Sequence, residues 1–192
     1  EGCLAGAEHI FYGYDCVNNF CDFLLLPENM CSTVIAHNAT GYDSKFLLNH
    51  YINCSAPPDQ LVKQGSRLAS MFLVKNKLWF IDSLSFFQRS LAKLSKTFNI
   101  ETVKGYFPHY FNTKENQDYI GDIPDYDYFG AGNMTREGKK AFDAWYKENE
   151  NIKSWNFKEE LIKYCKDDVE LLAKSIYSFR KIIYDLFDFE SI

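Results

Sequence analysis

The chain has 192 residues, 46% hydrophobic and 17% aromatic, which suits one domain with a substantial core and excludes a disordered or fibrous class. Its 21 basic and 26 acidic residues leave a net charge of −5, which excludes a protein that coats duplex nucleic acid and restricts any nucleic-acid role to a local site. No run of about 18 apolar residues reads as membrane-spanning. The sequence opens at Glu1 with no charged n-region followed by an apolar h-region, so it reads as an intracellular protein, nuclear or cytoplasmic rather than secreted, truncated at its first residue. The six cysteines (3, 16, 21, 31, 54, 165) form no CxxC pair and read as reduced thiols. The spacing of Cys3, His9, Cys16 and Cys21 is irregular for zinc. Without a secretory signal, the triplets at Asn38, Asn53 and Asn133 read as chance glycosylation motifs.

In chain order, DCVNNFCDFLL (15–25) carries Val17, Phe20, Cys21, Leu24 and Leu25 at helical spacing, with Asp15 as N-cap. TVIA is a short β-branched run that reads as a buried strand, followed by AHNATGY and then Phe46, Leu47, Tyr51 and Ile52 at helical spacing. This strand-to-helix turn delivers Asn38 and Asp43 to one edge of a sheet, where α/β folds build sites. SRLASMFLVKNKLWFIDSL predicts a hairpin turning at Lys75-Asn76-Lys77 and ending at Asp82-Ser83. A helix over 90–99 comes next, then an irregular aromatic stretch. Residues 112–135, rich in Gly, Pro, Asp and Tyr, read as a long inserted connection. Thr135 is placed to cap a mostly solvated helix. The chain closes on a long amphipathic helix over 157–187, with an apolar stripe of Leu161, Cys165, Val169, Leu172, Ile176, Phe179 and Ile183.

That last helix contains YCKDD, which sets Tyr164 and Asp168 one turn apart on one face. With Asn38 and Asp43, the chain supplies two carboxylates, a carboxamide and a phenol from distant segments. Two-metal phosphodiester hydrolysis uses such a set: carboxylates hold two divalent cations about 4 Å apart, which activate a water and steady the leaving oxygen. Each motif alone also has a plainer reading, with Asp43 capping a helix and Asp168 solvated.

HNATGYD resembles the Exo II motif, and YCKDD the Exo III motif, of the proofreading exonuclease in family B DNA polymerases. IDSLSFF, through Ser83, Leu84 and Phe87, and KGYF, through Lys104 and Phe107, resemble motifs of the protein-primed branch found in linear plasmids, viruses and Maverick/Polinton mobile elements. GYFPHYFNTKENQDYIGDIPD and FRKIIYDLF are also similar to Maverick-type polymerases. The resemblance covers nearly the whole chain in motif order. It implies an α/β fold of the ribonuclease H-like, DEDDy type, a mixed sheet flanked by helices and lacking its first strands. Asp43 and Asp168 would hold two Mg²⁺ or Mn²⁺ ions, and Tyr164 would orient the attacking water. Lys104 would neutralise the cleaved phosphate, while Asn38, Tyr42, Ser83 and Leu84 would contact a single-stranded DNA 3′ end. The aromatics Phe86, Phe87, Tyr106 and Phe107 read mainly as core, and His37 as structural.

The Asp-x-Glu of the Exo I motif is missing from residues 1–35, and Asp188-Phe-Glu190 lies after Exo III, in the wrong order. Asp43 and Asp168 alone undersupply the charge that two divalent cations require. The polymerase motif Tyr-x-Asp-Thr-Asp is also missing. The expectation is a partial 3′→5′ exonuclease domain over 1–192, inactive alone. It would belong to a DNA-directed DNA polymerase whose partners are primer-template DNA, dNTPs and a terminal protein as primer, with no membrane. The rivals are a free-standing exonuclease and an inactive remnant that binds single-stranded DNA.

Overall fold

A computed structural model of the chain describes residues 6–65, 67–102 and 105–187. Cys3, Lys104 and Asp188-Phe-Glu190, singled out in the sequence, lie outside the described residues. The chain divides into two compact units, Glu1–Lys93 and Leu94–Ile192.

In the first unit, α1 (Cys16–Leu24) precedes β1 (Thr33–Ala36), α2 (Asp43–Asn53), β2 (Gln60–Gln64), β3 (Arg67–Leu73) and β4 (Leu78–Asp82). The strands form one mixed sheet in the order β1-β4-β3-β2. β1 and β4 run parallel, with Ala36 opposite Asp82, while β3 is antiparallel to both β4 and β2. A parallel pair needs a crossover connection, and α2 with β2 and β3 supplies it. The expected hairpin is β3–β4. Its turn closes with Lys77 at φ +52° and the Lys77 N–H donating to the Val74 carbonyl at 3.1 Å. β2 is an additional strand that sequence patterning passes over, because all five residues of QLVKQ are exposed; it pairs antiparallel with β3. Asp15 stands at the N-cap of α1 but makes no side-chain cap bond; its carbonyl accepts the Asn19 N–H at 2.9 Å instead.

Cys21 and Leu24 of α1, Tyr51 of α2, Met71 and Leu73 of β3, and Leu78 and Phe80 of β4 form one core cluster, which sets both helices on one face of the sheet. Burial pushes the Cys21 thiol up to about 11, so it serves as a small apolar group. The expected apolar face of α2 is narrower than its sequence suggests. Phe46 and Ile52 are 56% and 54% exposed, while Leu47 packs on the core and Tyr51 is fully buried. At about 100° per residue, Leu47 and Tyr51 form one line and Phe46 and Ile52 fall to either side of it.

α3 (Leu91–Thr97) carries the boundary between the units. The second unit adds β5 (Ile120–Gly121) paired antiparallel with β6 (Trp155–Asn156), α4 (Arg136–Asn149) and the 31-residue α5 (Phe157–Phe187). Its core is aromatic: Phe107, Phe111, Ile123, Phe129, Ala131, Phe142, Trp155 and Phe157. The connection over 112–135 contributes Ile123, Phe129 and Ala131 to that core, and it is tied to α5 where the Phe157 N–H donates to the Tyr119 carbonyl at 3.0 Å. Tyr126 donates to Asp143 Oδ1 at 2.6 Å, and this bond holds the phenol's pKa up at about 12. Thr135 caps α4 as expected, accepting the Gly138 N–H at 3.2 Å.

The stripe expected on α5 holds in part: Leu172 is buried, Leu161 packs on the core, and Ile176, Phe179 and Ile183 are half-buried. Val169 is 67% exposed and Cys165 is exposed, while Phe157, Leu171 and Ser175 are also buried. A line stepping by three and four residues joins the buried Phe157, Leu171 and Ser175 through the half-buried Leu161, Tyr164 and Asp168. Two polar residues inside it hide the pattern from a hydrophobicity reading. No helix among the described residues is long and apolar enough to cross a membrane.

Phe142 is wholly buried and meets Tyr106, Tyr126 and Phe129 at ring-centroid distances of 5.1, 5.0 and 5.2 Å. Truncation there removes transfer energy and leaves a cavity, so Phe142→Ala should cost about 3–5 kcal/mol in urea denaturation. Thr135→Ala should cost about 1 kcal/mol, since it removes one exposed cap bond.

Candidate functional site

Two chain segments meet at the carboxyl ends of β1 and β4, the position where α/β sheets place ligands. The first is the turn after β1. Asn38 adopts φ +60°, a left-handed conformation that Asn tolerates better than most residues. Its carbonyl accepts the Gly41 N–H at 3.1 Å, and a Cβ on Gly41 would stand 3.3 Å from that same oxygen, so glycine lets the turn close. The Asn38 side chain is exposed, and Tyr42 beside it is 74% exposed. α2 then starts at Asp43 itself. The N-cap position belongs to Tyr42, which makes no side-chain cap bond, and Asp43 is the acidic residue of the first turn.

The second segment is the end of β4 and the 3-10 turn Ser83–Ser85. Asp82 is 3% exposed, and its carboxylate accepts three backbone N–H groups: Asn38 at 2.8 Å and Leu84 at 2.9 Å on Oδ1, and Thr40 at 3.1 Å on Oδ2. Ser83 is fully buried, with Oγ 2.9 Å from His37 Nδ1. His37 Nε2 lies 3.0 Å from the Arg89 carbonyl. A carbonyl only accepts, so Nε2 carries the proton; in the neutral ring Nδ1 then accepts from the Ser83 hydroxyl. The hydroxyl named as a DNA contact is thus engaged inside the unit, and Leu84 beside it is half-buried.

Sequence reasoning did not find the role of Asp82. Its local half was legible, since an Asp preceding Ser-Leu is placed to accept an N–H two residues on. Its bonds across to Asn38 and Thr40 span more than forty residues and arise only from the register that sets Ala36 opposite Asp82.

Asp43 and Asp82 line one groove, together with Ala39, Ser44, Leu47, Leu68 and Met71 among others, with an empty volume of about 320 Å³, open solvent included. The Asp43 residue keeps an exposed surface. The protein packed around its carboxyl raises its pKa above the ordinary aspartate value of 3.8; the Asp82 charge adds to this and a backbone hydrogen bond opposes it.

In the second unit, Tyr164 and Asp168 lie half-buried one turn apart on α5. The Tyr164 ring packs against Phe107 and His109, each at a centroid distance of 5.4 Å, and its hydroxyl is 3.5 Å from His109 Nε2, the outer limit of a hydrogen bond. Asp168 Oδ1 is buried. The described residues of the chain hold no group of three or more His, Cys, Asp or Glu able to bind a metal ion.

The raised pKa of Asp43 has a consequence for stability. A carboxyl whose folded pKa exceeds its unfolded value stabilises the fold below the unfolded value, and that contribution is lost as pH rises through the folded one. Stability owed to Asp43 should therefore decline as pH rises above 3.8. Thermal melts of Asp43→Asn and the parent chain across pH 3 to 7 should show the variant gaining relative to the parent toward neutral pH.

A family model for DNA polymerase type B, organellar and viral, matches residues 26–192. A probable DNA polymerase of Neurospora intermedia is 31% identical over 166 residues, covering 80% of this chain and 17% of that protein. A probable DNA polymerase of Ascobolus immersus is 31% identical over 176 residues, covering 85% of this chain and 14% of that protein. A DNA polymerase of Kluyveromyces lactis is 29% identical over 193 residues, covering 95% of this chain and 19% of that protein. The chain thus spans between 14% and 19% of the length of these curated relatives. No solved structure matches it. The family match takes in most of the chain, both segments of the sheet-end site included, and this chain belongs to the type B DNA polymerases of the organellar and viral kind.

Proposed function

We propose that the chain is the 3′→5′ proofreading exonuclease part, ribonuclease H-like in fold, of a DNA polymerase of the protein-primed branch carried by mobile elements, linear plasmids and viruses. The observation that carries this reading is the turn after β1. It sets the exposed Asn38 amide and Tyr42 ring beside Asp43, in a groove that a second carboxylate, Asp82, also lines. Such a site favours a hard cation, because oxygen ligands and mutual repulsion are both relieved by Mg²⁺ or Mn²⁺. Asp43 suits the role of ligand in this unit, and the motif resemblance implies the same role for Asp168 of α5. Bound divalent cations supply an activated water and steady the leaving oxygen.

The chain's own residues would do the rest. The Asn38 amide and the Tyr42 ring would grip and stack an unpaired 3′ end, with Leu84 and the Ser83 turn alongside. The Tyr164 hydroxyl, packed against Phe107 and His109, would orient the water. Lys104 would neutralise the phosphate being cut. Template-directed synthesis from dNTPs, on a terminal-protein primer, would be the work of the larger polymerase.

A second reading has an observation in its favour: no group of three metal-ligating residues exists among the described residues. The chain would then bind single-stranded DNA without cations and never shorten it.

The test is the full-length protein containing this chain, given a 5′-labelled single-stranded oligonucleotide with Mg²⁺, Mn²⁺ or EDTA. The expected result is cation-dependent shortening from the 3′ end. Asp43→Ala and Asp168→Ala should each reduce it by about 100-fold or more, since even outer-shell partners of metal ligands are worth 10–100-fold. Shortening that survives Asp168→Ala sinks the exonuclease reading. Binding without any shortening, unchanged in Asp168→Ala, establishes the second one.

A further inference from the structure

We infer that Asp82 is a positioning residue for the single-stranded DNA site, locking the Asn38 turn and the Ser83–Leu84 turn into one rigid contact surface; this rests on the exonuclease reading above. The family resemblance assigns Asp82 no part, and the geometry does. Asp82 is 3% exposed at the end of β4, and its carboxylate receives N–H groups from both segments, Asn38 and Thr40 on one side and Leu84 on the other, at 2.8 to 3.1 Å. Charge-assisted bonds of this kind are the strong ones, and a buried carboxylate is tolerated only when so engaged.

The three donors decide what the carboxylate holds. Asn38 sits at φ +60°, a conformation that persists when its surroundings fix it, and the bond from its own N–H to Oδ1 is one such restraint. The Thr40 N–H on Oδ2 holds the next stretch of the same turn, from which Tyr42 and Asp43 continue into α2. The Leu84 N–H on Oδ1 orients the 3-10 turn that carries Ser83 and Leu84. One oxygen therefore bridges the two candidate DNA-contacting segments directly.

The same bonds separate Asp82 from a metal ligand. Oδ1 already accepts two N–H groups and Oδ2 one, which uses most of the lone-pair capacity of the carboxylate. Asp43, which keeps an exposed surface, is the ligand candidate of the groove.

The experiment is a double-mutant cycle on Asn38→Ala and Asp82→Asn in the full-length protein, read as kcat and KM for shortening a single-stranded oligonucleotide in Mg²⁺, below the melting temperature of each variant. Asp82→Asn keeps the shape but turns an NH₂ donor toward backbone N–H groups. It should raise KM about tenfold or more with kcat changed less than about threefold, the signature of lost ground-state and transition-state binding alike. In the Asn38→Ala background the same substitution should have a markedly smaller effect, because residues acting as one unit are not additive. A lowered melting temperature with KM unchanged overturns the proposal, as does full additivity of the two changes. A fall in kcat relieved by raising Mn²⁺ also overturns it, making Asp82 a ligand. If the parent protein shortens nothing, or Asn38→Ala leaves KM unaltered, the reading of the turn as a DNA site fails first and takes this proposal with it. Should Asp82→Asn not fold, Asp82→Glu, which keeps the charge and displaces the oxygens, is held to the same criteria.

Discussion

The first unit depends on a buried negative charge satisfied entirely by backbone. The Asp82 carboxylate takes N–H groups from Asn38, Thr40 and Leu84, in place of the water it gave up on folding. Desolvating a carboxylate costs several kcal/mol or more unless such bonds replace its hydration. The replacement is available because β1 and β4 are parallel neighbours and end side by side, Ala36 opposite Asp82, so the loop leaving β1 presents its N–H groups to the end of β4. His37 makes a second link between the same two segments, from the Ser83 hydroxyl to the Arg89 carbonyl. The turn leaving β1 is therefore held from two sides before α2 begins.

The second unit solves a different problem, that of ordering a long segment with little regular structure. Aromatic rings do this work: Phe107, Phe111 and Phe129, from stretches outside any long helix or strand, share a core with Phe142 of α4, Trp155 of β6 and Phe157 of α5. Large rings bury much apolar area per residue, so few of them can offset the ordering cost of an irregular backbone. The same packing fixes one face of α5, since Leu161 and Tyr164 both lie against this core. Tyr164 is thereby held by its ring, with its hydroxyl directed to His109 Nε2 at 3.5 Å.

The sequence conveyed the regular elements well and the polar logic poorly, for reasons visible in particular residues. TVIA, the β3–β4 hairpin, the Thr135 cap and the 31-residue last helix were all legible because apolar periodicity and capping chemistry are local. β2 was missed because QLVKQ is exposed along its length and owes its strand conformation to a partner. On α5 the expected stripe holds at Leu161 and Leu172 but not at the exposed Cys165 and Val169, whose places on the inner side are shared by the half-buried Tyr164. Asp82 was hidden because its partners are backbone groups some forty residues away, which carry no sequence signature.

Asp43 shows how the structural clamp and the candidate chemistry are coupled. As the first residue of α2 it sits at the positive end of a helix dipole, where a carboxylate is ordinarily favoured and its pKa lowered. Its pKa is nevertheless raised, first by the protein packed around it and then by the charge of Asp82. The turn that Asp82 rigidifies thus carries a carboxylate that Asp82 also destabilises. A cation bound in the groove, as proposed above, would convert this repulsion into attraction, and the turn that Asp82 holds would spare it part of the cost of gathering its ligands.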